Sequence, residues 1–308
     1  MDTTSTGKSI WKVDIAELTA AAKLEYEEAK KRPFYQRNSG FRFSPKVLPP
    51  GVDCLWVKYK VDEPTLSAEA RTQKYVHSKL AKPGWAGLHI PRVFDYAEIN
   101  IKGGEWPTWS FIMMEFVTGT PVTRIFNNIK GSGDKSSEVK KAQICLVKDR
   151  VVDALCFLLS LKPPPGASPG PVDGGLIQSF IFGRDDSYAP REFVSLKDLE
   201  NWVNLENRKE KLNPLLTTAD LVSEGLKLCY CDLNLENFLL EDASNPASRL
   251  TIIDFQHTSW LPYSFLVWEL WNKNEGDMEN QITTRCQLNV NNGNVQALHN
   301  IRLQRPLD

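Results

Sequence analysis

Residues 226–255 read LKLCYCDLNLENFLLEDASNPASRLTIIDF. The first residues, up to Asp232, are an apolar strand running into a polar loop. NFLL is a second, short strand, EDASNPASR is a turn, and LTIIDF is a third strand. A polar loop followed by a β-hairpin is therefore predicted to bring Asp232 and Asp254 to the ends of neighbouring elements. Asp254 closes an apolar strand, where a carboxylate requires a partner.

Outward from this stretch, the pattern is a strand-rich first third and a helix-rich remainder. Residues 14–32 predict a helix with Ile15, Leu18, Ala22 and Tyr26 on one face, ended by Pro33. FRF and CLWVKYK predict strands on either side of Pro49-Pro50-Gly51. Ser67 is a candidate cap for a helix to about Ala81. Strands are predicted from Pro91 and from Trp109, with a Gly103-Gly104 turn between them. Residues 136–161 predict a long helix with Val139, Leu146, Val151, Leu155 and Leu158 at helical spacing and Ser137 as its cap. KPPPGASPGPVDGG is too rich in proline for a regular element and reads as a surface loop. Ser195-Leu-Lys-Asp198 opens a further helix with a capping-box signature. The tail after residue 272, rich in Asn and Gln, reads as a flexible end or a lid.

Composition bounds the classes. The chain has 308 residues, enough for one large domain or two lobes. Lys plus Arg is 37 against 38 for Asp plus Glu, a net charge of −1 that argues against a nucleic-acid partner. No run approaches the roughly 20 apolar residues of a membrane span, and the N-terminus has no signal-peptide pattern. The six cysteines show no paired metal-ligand spacing, which predicts reduced thiols in a cytoplasmic protein.

The loop and hairpin carry a chemistry. Phosphoryl transfer needs a group to orient and deprotonate an acceptor hydroxyl, hard oxygen ligands for Mg²⁺, and a cation on the nucleotide phosphates. An Asp with an Asn five residues later supplies a base and an amide oxygen, and a second Asp closing the hairpin supplies a metal carboxylate. Tyr230-Cys-Asp232-Leu-Asn-Leu-Glu-Asn237 followed by Ile252-Ile-Asp254-Phe resembles the catalytic loop and metal-binding turn of the aminoglycoside phosphotransferase and choline kinase branch of the kinase-like fold. The pattern there is H-x-D-x-x-x-x-N followed by I-D-[FW]-E. Residues 253–262, IDFQHTSWLP, resemble IDFEHASWLP of the fungal phosphotransferase-family proteins. Residues 174–183 and 193–202 also resemble segments of that group. The resemblance covers roughly residues 40–270 and is strongest from 174 onward.

The resemblance implies an α+β, two-lobed protein-kinase-like fold. Residues 1–115 would be an N-terminal helix plus a small β-rich lobe, and 116–308 a larger helical lobe with the catalytic loop and tail. Asp232 would be the catalytic base, and Asn237 and Asp254 would hold Mg²⁺. Lys58 would reach the α/β-phosphates of ATP and Glu69 would hold Lys58 in place. The backbone of Glu115 and Val117 would bind adenine. The implied activity is an ATP- and Mg²⁺-dependent phosphotransferase acting on a hydroxyl of a small molecule, with no nucleic-acid or membrane partner. Parts of 130–210 and 258–300 would form the acceptor pocket. His257 reads as structural or substrate-side, and the Trp and Tyr residues of 256–271 as core.

Three positions depart from the family pattern. The usual His of the loop is Tyr230, the acid after Asp254-Phe255 is Gln256, and no Gly-rich phosphate loop precedes Lys58. Two other readings therefore stand beside the first. One is a kinase-fold protein that has lost phosphoryl transfer and serves as a binding module. The other is an enzyme using the same cleft for a cyclisation or dehydration of a natural product.

Overall fold

The computed structural model describes residues 11–33, 40–61, 66–80, 85, 87–100, 108–132, 136–183, 187–209 and 218–304. The chain packs as two compact units, one of residues 1–70 with 91–117 and one of residues 71–90 with 118–308. The fold class is α+β, as expected: the first unit is built on a β-sheet and the second is mainly helical.

In the first unit, helix α1 (Ile15–Lys30) is capped by Asp14, whose side chain accepts the N–H groups of Ala16 and Glu17. Strands β1 (Gly40–Phe43), β2 (Leu55–Val61), β4 (Val93–Asn100) and β5 (Thr108–Glu115) form an antiparallel sheet in the order β1-β2-β5-β4. Side chains alternate across it with the strand period of two. Val57, Tyr59, Trp109, Phe111 and Met113 pack with Leu18 and Ala22 of α1. Ile112 and Met114, from the alternate positions of β5, pack instead with Leu66 and Ala70 at the start of helix α2 (Leu66–Lys79). Gly40 is required where β1 meets β2, because a Cβ there would lie 2.7 Å from the Val57 carbonyl.

Among the described residues the second unit holds six further helices: α3 (Val122–Gly131), α4 (Ser137–Ser160), α5 (Leu196–Lys209), α6 (Ser264–Asn272), α7 (Gly276–Arg285) and α8 (Asn292–Gln304). Strands β3 (Leu88–His89), β6 (Thr120–Pro121), β8 (Phe238–Leu240) and β9 (Leu250–Ile252) make a sheet in the order β3-β9-β8-β6. Strands β7 (Lys227–Tyr230) and β10 (Thr258–Leu261) form a separate antiparallel pair. The predicted hairpin is β8–β9, with Phe238 opposite Ile252 and Leu240 opposite Leu250. The proline-rich segment after α4 is irregular and docks through mutual backbone hydrogen bonds between Gly170 and Trp260.

Several local expectations are corrected. Ile15, placed on the buried face of α1, is exposed, because the sheet contact begins a turn later at Leu18. Ser67 is not a cap, since α2 already starts at Leu66. The cap of α4 is Ser136 rather than Ser137, its hydroxyl accepting the Val139 N–H. Val139 and Leu146 are exposed while Val151, Leu155 and Leu158 are buried, so only the second half of α4 lies in the core. Ser195 does accept the Asp198 N–H at the start of α5, but Asp198 completes no box. Its carboxylate takes the Val194 N–H and a two-pronged ion pair from Arg191. The tail is neither a loose end nor a lid as far as Gln304. It forms α7 and α8, which pack on α4, α5 and α6 and bury Met278, Ile282, Val295, Leu298 and Ile301. The Gly103-Gly104 turn and Ala81 lie outside the described residues.

Candidate active site

In the second unit, two backbone ties and one side-chain brace gather the loop and the hairpin. Asn237 accepts the Ile253 N–H at 3.0 Å, which extends the β8–β9 pairing by one step toward Asp254. His257 accepts the Cys231 N–H at 2.9 Å, so both ends of the 231–237 loop are fastened to the segment 253–257. The brace is the Tyr230 hydroxyl, which donates to the Ile253 carbonyl at 2.7 Å. The Tyr230 ring is buried between Phe238 and Phe255, with edge-on contacts to both. Tyr230 thus links the strand before Asp232 to the residue before Asp254.

Inside this frame Asp232 is half-buried and oriented from two sides. One carboxylate oxygen accepts the Asn234 N–H at 3.3 Å and the other accepts the Asn237 side-chain amide at 3.0 Å. The Asn237 nitrogen is committed to a carboxylate, which turns its Oδ1 away as an oxygen donor. Asn234 caps the short 3-10 turn Leu235–Asn237 by accepting the Glu236 N–H, and so sets where Asn237 falls. Asp254 has φ 61°, a left-handed conformation uncommon for a side-chain-bearing residue and tolerated best by Asn and Asp. Such conformations cost on the order of 1 kcal/mol and persist where the surroundings impose them.

Sequence reasoning passed over Glu269. This carboxylate on α6 is 1% exposed, and Lys273 Nζ lies 3.7 Å from it, one helical turn on. Burial pushes its pKa up, the Lys273 charge pulls it down, and the negative charge of Asp232 pushes it up again, for a net value of about 7. Its signal in the sequence was the single acid in the otherwise apolar run SFLVWELW. His257 is buried with its ring 4.6 Å from that of Phe180. Trp260, Tyr263 and Trp268 are core residues, whereas Trp271 is exposed and meets His299 edge-on.

In the first unit, Lys58 on β2 is buried and its Nζ lies 2.9 and 2.8 Å from the two carboxylate oxygens of Glu69 on α2. Burying two charges is offset in part by pairing them at this distance. Glu115 ends β5. Its N–H donates to the Arg92 carbonyl and its carboxylate accepts the Arg92 N–H. Val117 is half-buried at the end of the same unit. The structure therefore brings Asp232 and Asn237 into contact, ties Asn237 to the residue before Asp254, and separately pairs Lys58 with Glu69.

Among the described residues no three or more His, Cys, Asp and Glu side chains cluster into a metal cage. Mg²⁺ does not require one, because it keeps waters and takes one or two protein oxygens with substrate phosphates. The Asn237 amide oxygen and the Asp254 carboxylate are donors of that hard type. No helix among the described residues is long and apolar enough to cross a membrane.

No family model matches the chain, and no curated protein matches its sequence. Solved structures do resemble it. The GDP and kanamycin complex of APH(2")-IIia is similar over 91% of this chain and 86% of its own, at 12% identity and a TM-score of 0.41. The GDP complex of wild-type aminoglycoside 2'-phosphotransferase-IIIa covers 93% and 88%, at 12% identity and a TM-score of 0.45. A microcompartment-associated aminopropanol kinase covers 92% and 86%, at 11% identity and a TM-score of 0.45. Similarity at TM-scores of 0.41–0.45 assigns neither family nor substrate to this chain.

Proposed function

We propose that this protein is an ATP- and Mg²⁺-dependent phosphotransferase of the protein-kinase-like fold, acting on a hydroxyl group of a small molecule. The observation that carries the reading is the Asp232–Asn237 hydrogen bond, set in a loop whose two ends are fastened to the segment around Asp254. Asp232 accepts the proton of the acceptor hydroxyl as it attacks. A base for this step must be oriented before the substrate arrives, and the Asn234 and Asn237 donors orient it. Asn237 and Asp254 would hold Mg²⁺, which when bound neutralises phosphate charge. Lys58 supplies the fixed cation for the α/β-phosphates, and Glu69 keeps its ammonium from swinging away. The Glu115 N–H is engaged by Arg92, so adenine recognition at this residue falls to the Glu115 carbonyl, with Val117 contributing its backbone.

Tyr230 bears on whether the departures from the family pattern abolish catalysis. Its hydroxyl makes a brace to the metal-binding turn, the part the usual His plays in the resembling family, and this favours an active site over a vestigial one. Gln256 lowers the negative charge beside Asp254, which suits a site that holds fewer metal ions.

Incubation with Mg²⁺–ATP and a panel of hydroxylated metabolites, read by ADP release and product mass, tests the reading. A product heavier by one phosphate is expected from the wild type. Asp232→Asn is expected to lower turnover by at least about 10³-fold, at the upper range for loss of a general base, while still binding Mg²⁺–ATP. Wild-type ADP release from Asp232→Asn would sink the assignment of the base. Nucleotide binding without any transfer would favour the binding-module reading, and a changed product without ATP the non-phosphoryl one.

A further inference from the structure

Cys156 and Cys286 are 130 positions apart in sequence, yet their Sγ atoms lie 3.0 Å from each other. Cys156 sits on the last turns of α4, and Cys286 is the residue that terminates α7. The approach is held from the side. Arg285, the preceding residue, donates to Asp149 at 2.7 Å and to Asp153 at 2.6 Å, both on α4. This double clamp fixes the end of α7 against α4 at the level of Cys156. Both cysteines are half-buried, neither sealed in the core.

The two sulfurs are not equivalent. The pKa of Cys286 is lowered, first by its hydrogen bond with Cys156 and then by the charges of Lys227 and Arg285, against the opposing effect of burial. The pKa of Cys156 is raised, by that same bond and by burial. Of the two, Cys286 is the one whose ionisation the surroundings favour. Two thiols in contact, one more readily ionised than the other, are the arrangement of a reactive cysteine with its resolving cysteine. The remaining four cysteines provide contrast: Cys145 is exposed, Cys54 is half-buried, and Cys229 and Cys231 are sealed in the core.

We propose that Cys156 and Cys286 are a reversible oxidation site, closed to an intramolecular disulfide by hydroperoxides. The Cys286 thiolate attacks the O–O bond of the hydroperoxide. An S–O bond forms, the O–O bond breaks, and the alkoxide leaves as an alcohol by taking up the proton that Cys286 had released. Cys156 then attacks the sulfenic sulfur. The S–S bond forms, the S–O bond breaks, and hydroxide leaves as water with the Cys156 proton. Two thiols have lost two electrons and two protons, and the hydroperoxide has been reduced to alcohol and water. The sulfurs need to close by about 1 Å from their 3.0 Å separation to reach a disulfide bond length of about 2.05 Å. Oxidation would staple α7, and the chain leading into α8, to α4.

Treatment of the full chain with equimolar hydrogen peroxide, followed by denaturing alkylation and peptide mass mapping, tests this. The expected result is a monomer lighter by two hydrogens, with one cross-linked peptide pair containing Cys156 and Cys286. Cys145 stays alkylable, and dithiothreitol reverses the change. The oxidised form is expected to melt roughly 5–10 °C higher, since the closed loop is long. Cys145→Ser should leave the cross-link intact and Cys286→Ser should abolish it. Full alkylation of both Cys156 and Cys286 after peroxide would overturn the proposal, as would a cross-link formed between other cysteines. The wild-type map decides the matter even if a variant fails to fold.

Discussion

At the residue scale, Glu269 carries a measurable consequence of where α6 places it. In the unfolded chain its carboxyl titrates near its ordinary 4.5, whereas in the folded protein it titrates at about 7. Between those values the folded state holds a proton that the unfolded state has released. The stability Glu269 contributes is therefore complete below pH 4.5 and is lost as pH rises to 7, on the order of 3 kcal/mol in all. Glu269→Gln cannot titrate, so it should flatten the fall in urea-unfolding free energy between pH 4.5 and 7. A variant with the same pH slope as the wild type would show that Glu269 is not the group responsible. Asp232 and Asn237 were legible in the sequence because an Asp and an Asn five residues apart between apolar strands form a recognisable pattern. Glu269 was not, because nothing in SFLVWELW says which face of the helix meets Asp232. The conformation of Asp254, φ 61°, was equally hidden, since the neighbouring ties at Ile253 and His257 join segments far apart in the chain.

Among the elements, the largest difference from the sequence reading is the C-terminal pair α7–α8. Asn and Gln dominate the impression of that stretch, but Met278, Ile282, Val295, Leu298 and Ile301 are the positions that decide it, and all five are buried. Their spacing is helical only if Asn289 to Asn291 are read as a break between two helices, and no proline marks that break. Leu298 is fully buried, so Leu298→Ala is expected to cost about 2–5 kcal/mol in chemical denaturation. A cost under about 0.5 kcal/mol, the scatter of an exposed substitution, would restore the reading of a loose tail. The long helix α4 shows the opposite error. Periodicity gave its extent within a residue, but periodicity cannot tell that its first half faces solvent, since that depends on which elements reach it. In the first unit, β2 and α2 meet through Lys58 and Glu69. Glu69→Gln removes a charge paired with a buried ammonium and should destabilise the protein, by up to about 3–5 kcal/mol, measured by urea unfolding. An unchanged midpoint would mean that Lys58 has another compensating partner.

For the whole molecule, the sequence pattern of strands first and helices later corresponds to two units with separate apolar cores. The first core joins α1 and the antiparallel sheet, and the second joins helices, the β8–β9 hairpin and the 231–237 loop. What the pattern could not give was the assignment of residues 71–90, which come after the first strands in sequence but pack in the second unit. Strand β3 explains it: Leu88 and His89 pair in parallel with Leu250 and Thr251 of β9, a contact between segments far apart in the chain. Local propensity carries no information about a partner that distant. The same limit applies to the Cys156–Cys286 pair, neither half of which stands out in its own stretch of sequence.

Asp254, with Asn237, is proposed to complete a site for a magnesium nucleotide. Thermal unfolding of the wild type and of Asp254→Asn in rising Mg²⁺–ATP tests this most directly. Asn keeps the shape of Asp254 and its tolerance of a left-handed backbone while removing the charge, so the unliganded variant should melt close to the wild type. A ligand that binds only the folded state must raise the melting temperature, by the equivalent of about 2.7 kcal/mol at one hundred times its Kd. A magnesium-dependent rise is expected for the wild type and little or none for Asp254→Asn. No rise for the wild type at millimolar Mg²⁺–ATP, or an equal rise for both proteins, would contradict it.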